Sequence, residues 1–171
     1  AITFACDALD GKFRFEGFTD QVLSDFSGPV TVNLGQFTLD EHGAVLGLDL
    51  RLPVTCEKEE ILSLVQKKAA ECNMTVEEFD WLRAIHVPQD SPLVTKLLQS
   101  YREVTGDVKT EPYISAGATF ARAFDNCVAF GANMPHSPTS EHQPNERISI
   151  IKLMQAAEVY RRAFSCLVLA D

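Results

Sequence analysis

PVTVNLGQFTLDEHGAVLGLDLRL, residues 29–52, is the stretch on which the fold turns. Apolar and polar side chains alternate through PVTVNLGQFT and again through AVLGLDLRL, the period-two signature of half-buried strands. Glu41-His42-Gly43 between them supplies turn residues, so the spacing predicts a β-hairpin. On its second strand Arg51 faces away from Leu50 and Leu52.

Downstream, Thr55 offers an N-cap. Glu57, Glu59 and Glu60 sit where a helix dipole is positive, Lys67 and Lys68 where it is negative, and Ile61, Leu64, Val65 and Cys72 share one face. A helix is expected there, followed by a strand over Met74 to His86. Pro92, which has no amide hydrogen to lose in a first turn, opens a second helix striped with Val94, Leu97, Leu98, Tyr101 and Val104 and stopped at Gly106. Next come a short strand near Tyr113, a Gly-containing loop, a helical turn over Phe120 to Phe124, an apolar strand Cys127 to Phe130, and a loop carrying Pro135, Pro138 and Pro144. A final helix runs from about Ile150, capped by Ser149, with Ile150, Leu153, Met154, Ala157, Tyr160, Phe164 and Leu167 expected on its buried face. Strands and helices alternate, so the fold class is α/β (α+β). The Val87-Pro88 step is the expected boundary between a domain over residues 1–86 and a second over 87–171. Opening at Ala1 without methionine, inside an apolar helical turn of Ile2, Phe4 and Ala5, is what a fragment would show.

With 171 residues and 46% hydrophobic content the chain can bury a sizeable core. A net charge of −9 repels phosphate backbones and anionic membrane surfaces, which argues against nucleic acid and membrane partners. Five cysteines, widely spread and never in a Cys-x-x-Cys pair, fit a reducing, cytoplasmic compartment better than a disulfide framework or zinc ribbon. No apolar run approaches the roughly 20 residues of a membrane span, and no basic-then-apolar leader opens the sequence.

Of the four histidines, His42 falls in the hairpin turn, His86 precedes a valine and a proline at an expected strand end, and His136 lies in the Pro-rich loop. His142 stands apart in Ser140-Glu141-His142-Gln143-Pro144-Asn145-Glu146, where neighbouring carboxylates could orient an imidazole or balance a metal's charge. One histidine does not make a zinc site, which needs three or four protein ligands. Ser115-Ala116-Gly117-Ala118-Thr119 is either a tight turn or a run whose peptide amides can approach a ligand closely. Arg51 is either a solvated surface cation or a two-pronged donor for a carboxylate. No nucleophile elbow, dinucleotide fingerprint or phosphate-binding loop is present, and no cysteine has a nucleophile's motif around it.

Ala116-Gly117-Ala118-Thr119-Phe120-Ala121-Arg122-Ala123-Phe124, then Asn126 to Gly131, then Glu141-His142-Gln143-Pro144-Asn145-Glu146, resemble the C-terminal signature of PepV-like di-zinc dipeptidases, in the clan of aminoacylases, carboxypeptidases and carnosinases. Val32-Asn33-Leu34-Gly35 and Asp49-Leu50-Arg51-Leu52-Pro53 resemble that family's lid-domain hairpin, and His86 to Gly106 its return into the catalytic domain. The resemblance implies that residues 1–86 are the C-terminal part of an inserted lid and 87–171 the C-terminal part of a zinc-binding catalytic domain. It also implies that His142 is the last metal ligand, that Arg51 grips the substrate's terminal carboxylate, and that Gly117, Ala118 and Thr119 contact substrate through their backbone. Arg122 would support them through an ion pair. Ala116 stands where the family more often has glycine.

The implied parent enzyme uses a zinc-bridged hydroxide and a carboxylate base to hydrolyse dipeptides or short N-acyl amino acids. Its remaining ligands, its base and a lid histidine match nothing in this chain, so no catalytic residue is assigned. The chain alone is expected to be inactive and to hold at most one zinc ion, weakly. Its expected partners are the substrate, the remainder of the catalytic domain and, through uncovered surface, a second copy in a homodimer. The alternative is a naturally short, non-catalytic binding or dimerisation module with the same fold.

Overall fold

The computed structural model describes residues 1–115, 117–131, 134 and 140–168. It mixes helices with small antiparallel sheets, as the α/β reading requires. The chain divides into two compact units, Ala1–Ala84 and Ile85–Asp171.

In the first unit α1 (Ile2–Phe4) runs into a π-helical turn, Ala5–Leu9, and a loop then folds back over it. That return passes so close that a Cβ at Gly17 would collide with the backbone of Ala8. Phe15, buried and held at φ 70, stacks on Phe18 at 4.4 Å, and Phe18 meets Phe4 edge-on at 6.0 Å. A two-residue ladder, β1 (Ser24–Asp25) with β2 (Gly28–Pro29), precedes the hairpin of β3 (Thr31–Asp40) and β4 (Gly43–Arg51).

The hairpin register pairs Val32 with Leu50, Leu34 with Leu48, Phe37 with Leu46 and Leu39 with Ala44. Even-numbered Leu34 and odd-numbered Phe37 share a face because the register shifts between Leu34 and Gln36. Gly35 is the extra residue there. The base of this face packs with α2 (Lys58–Glu71) through Val30, Val32, Ile61, Val65 and Ala69, with Leu46, Leu48 and Leu50 partly buried against them. Farther out, Phe37 and Leu39 are exposed.

Thr55 does not cap α2 as expected. Glu57 is its N-cap residue and makes no side-chain cap bond, while Thr55 donates both its amide and its hydroxyl to Asp25. Nor do residues 74–86 form a strand. Among the described residues no strand pairs with them, and Phe79, Trp81 and Leu82 are exposed. Instead of joining a ladder, the Met74 amide donates to the Ala69 carbonyl at 3.0 Å and the Trp81 amide to the Asp80 carboxylate at 2.8 Å.

In the second unit α3 (Pro92–Thr105) has Pro92 in its first turn, a Ser91 side chain that accepts from the Val94 amide at 3.3 Å, and Gly106 in the left-handed conformation at its end, φ 71. It lies against α4 (Ile150–Val168). Arg162 reaches Glu103 at 2.6 Å and Lys96 donates to the Cys166 carbonyl at 3.1 Å. The face α4 buries is narrower than expected and offset from the one predicted. Ala156 and Val159 are enclosed with Met134, Tyr160 packs beside them and Ala163 is buried one turn on, whereas Ile150 (78% exposed), Leu153, Met154 (65%), Ala157, Phe164 (69%) and Leu167 face outward. Small side chains let two helix backbones approach, and buried Ser100 on α3 returns its hydroxyl to the Lys96 carbonyl.

The strands expected near Tyr113 and over Cys127–Phe130 do not form. Among the described residues of this unit there is no ladder for them to join. The helical turn is a 3-10 turn, Phe120–Ala123, with Phe120 and Phe124 exposed.

Candidate functional site

The predicted site residues fall in both units. Arg51 belongs to the first, and Gly117, Ala118, Thr119, Arg122 and His142 to the second.

Arg51 ends β4, opposite Thr31, and Asp49 two residues earlier lies opposite Asn33. Alternation places Arg51 and Asp49 on the polar outer face of the hairpin, away from Leu48 and Leu50. Nη2 of Arg51 donates to Oδ2 of Asp49 at 2.8 Å. Asp49 was not among the residues expected at the site, although carboxylate and guanidinium two apart on one strand is a readable signal.

In the Gly-containing segment the Gly117 amide donates to Ser115 Oγ at 3.1 Å. Thr119 caps the following 3-10 turn, its Oγ1 accepting from the Ala121 amide at 3.3 Å and its carbonyl from the Arg122 amide at 3.2 Å. Gly117, Ala118 and Thr119 are exposed and Arg122 is half-buried; Ala116 lies outside the described residues. Among the described residues, a Cβ at Gly117 would meet only the rotatable Ser115 hydroxyl, at 3.3 Å.

His142 sits in the first of two consecutive turns. The Gln143 amide donates to the Ser140 carbonyl at 3.1 Å and the Glu146 amide to the Gln143 carbonyl at 3.2 Å. In each turn the third residue is left-handed, His142 and Asn145 both at φ 61. Pro144-Asn145 is the pairing such a turn favours, proline fixing the second position and asparagine tolerating the third. Ser140 clasps the pair by accepting from the Arg147 amide and donating to the Arg147 carbonyl, at 3.3 and 3.2 Å. This geometry presents the exposed His142 from a closed double turn.

Of the other histidines, His42 is exposed in the hairpin turn, 3.6 Å from Glu41, and His86 is exposed. His136 lies outside the described residues. Among the described residues no three His, Cys, Asp or Glu side chains come together to hold a metal ion, so these residues do not by themselves build a zinc centre. All five cysteines are free thiols. Among the described residues no helix is long and apolar enough to cross a membrane.

Residues 8–165 match the family model described as "Peptidase family M20/M25/M40". Among curated proteins, the chain is 37% identical over 159 residues to the "Putative dipeptidase" of Staphylococcus saprophyticus, covering 90% of this chain and 34% of that protein. It is 34% identical to that of Staphylococcus epidermidis, over 86% of this chain and 32% of the relative. For that of Staphylococcus haemolyticus the identity is 36%, over 82% and 30%. The chain thus spans about a third of the length of the curated relatives it matches.

Proposed function

This chain belongs to peptidase family M20/M25/M40, and from that premise we propose that it is the C-terminal part of a PepV-like, zinc-dependent dipeptidase that hydrolyses dipeptides or short N-acyl amino acids. Residues 1–86 would form the end of the lid and residues 87–171 the end of the catalytic domain. Arg51 would grip the substrate's terminal carboxylate, Gly117, Ala118 and Thr119 would offer backbone contacts, Arg122 would support them, and His142 would supply one metal ligand. The remaining ligands and the general base would come from the rest of a longer polypeptide. Alone, the chain would be inactive and would bind at most one zinc ion weakly. The proposed compartment is the cytoplasm, in keeping with the five free thiols.

The observation that carries this reading is the family match itself. It extends from residue 8 to residue 165, a range that includes both Arg51 and His142. Dipeptide hydrolysis with added zinc, assayed in parallel on this chain and on the full product of its gene, tests it. Activity confined to a longer product supports the reading. Activity of this chain alone means that its ligands are complete, which overturns the assignment of His142 as a lone contribution. A full gene product no longer than this chain and without activity favours the non-catalytic module.

A further inference from the structure

We infer that Asp49 is a positioning residue for Arg51, holding the guanidinium on the hairpin's outer face in the orientation that receives a substrate carboxylate; the inference rests on the role proposed above for Arg51. The two residues share a face of one strand and are joined by a 2.8 Å hydrogen bond between Arg51 Nη2 and Asp49 Oδ2. Their cross-strand neighbours, Thr31 and Asn33, are polar and uncharged, so Asp49 is the carboxylate next to Arg51 in the hairpin ladder.

The side chains are 43% and 51% exposed, a setting in which an ion pair adds little to folding stability. Its consequence is therefore geometric. A guanidinium grips a carboxylate with two parallel hydrogen bonds only when its planar fork faces the ligand. A fixed acceptor on one nitrogen removes rotamers that binding would otherwise have to freeze. Against this stands repulsion between Asp49 and the incoming carboxylate. In high-dielectric surroundings that repulsion is weak and salt weakens it further, whereas a lost orientation is not restored by salt. Orientation is the larger effect.

The test compares KM and kcat for dipeptides with a free terminal carboxylate and for their terminal amides, using the full gene product that carries this chain. Arg51→Ala is expected to erase the preference for the free carboxylate. Asp49→Ala should raise KM for the carboxylate substrates about three- to tenfold, with kcat, the amide KM and the unfolding midpoint nearly unchanged. In the Arg51→Ala background it should add nothing, and Asp49→Asn, which keeps one acceptor, should fall between. If Arg51→Ala erases the preference but Asp49→Ala leaves KM unchanged or lowers it, the positioning role is overturned and the reading of Arg51 stands. If Arg51→Ala leaves the preference intact, or the wild-type product hydrolyses neither substrate, the reading falls and the inference falls with it.

Discussion

Asp25 and Thr55 are joined twice: Oδ2 of Asp25 accepts from the Thr55 amide at 2.8 Å and from its hydroxyl at 2.9 Å. The other carboxylate oxygen accepts from the Ser27 amide and hydroxyl, and Ser27 Oγ accepts from the Val54 amide at 3.0 Å. The turn between β1 and β2 is thereby tied to the segment that leads into α2. Desolvation pushes the Asp25 carboxyl upward, but the bonds from the Ser27 hydroxyl, the Thr55 and Ser27 amides and the Thr55 hydroxyl outweigh it and hold the group at about 2, against an ordinary 3.8. A carboxylate with a lowered native pKa contributes stability that is complete above its unfolded value and lost as pH falls through its folded value. Asp25→Asn should therefore lower the unfolding midpoint at neutral pH and flatten its fall between about 3.8 and about 2. Circular-dichroism melts of both proteins across that window check this. Parallel curves would show that the carboxylate's charge is not what the turn uses.

At Gly17 the prediction is steric. Its backbone is not in the left-handed region, so conformational freedom is not the issue, but a Cβ would collide with Ala8 in the π-helical turn. Gly17→Ala must push apart a loop whose neighbours Phe15 and Phe18 are stacked in the core. A loss toward the upper end of about 1–3 kcal/mol is expected by urea unfolding, because the overlap is with backbone rather than with a flexible side chain. Gly106→Ala makes a contrast: among the described residues its Cβ would meet nothing, and the left-handed backbone at the end of α3 opposes it, for about 1 kcal/mol. Equal losses at the two positions would contradict the collision at Gly17.

The exposed stripe of α4 leads to a prediction about association. Ile150, Leu153, Met154 and Phe164 form an apolar face that the described residues do not cover. Such a face favours self-association. Sedimentation of this chain at rising concentration should show dimers or larger species, and Met154→Lys with Phe164→Lys should shift the population to monomer while the helical signal is kept. A wild-type chain that stays monomeric at high concentration would refute it.

These cases show what the sequence could and could not disclose. Periodicity located α4 and its apolar side chains, but periodicity reports that a face is apolar, not what lies against it. The helix turned Ala156, Val159 and Ala163 toward its neighbour because small residues allow close approach, leaving the larger side chains outside. The hairpin was legible because its turn and its alternation agreed. The bulge at Gly35, which keeps Phe37 and Leu39 in phase with Leu34, was not. Residues 74–86 have strand-like composition, yet a strand exists only with a partner, and pairing is non-local information. Within the candidate site, alternation disclosed which way Arg51 faces, whereas the segment around Pro144 was read only as a loop and its double turn was not. That His142 has no ligand cluster around it among the described residues depends on tertiary placement that one histidine in a sequence does not encode.

At His142 backbone strain and function can be separated. A left-handed backbone costs an L-residue on the order of 1–2 kcal/mol; glycine avoids the cost, and asparagine bears it better than most side chains. His142 is at φ 61 in an exposed turn, so folding alone gives no reason to prefer histidine there. His142→Gly and His142→Asn should unfold at or slightly above the wild-type midpoint. If the imidazole is a metal ligand, both variants of the full gene product should lose at least about a hundredfold in dipeptide hydrolysis or in zinc affinity measured by competition with a chelating dye. Unchanged zinc affinity and activity in the asparagine variant would remove His142 from the metal centre. A large drop in stability in both variants would instead make the histidine a structural residue of the double turn.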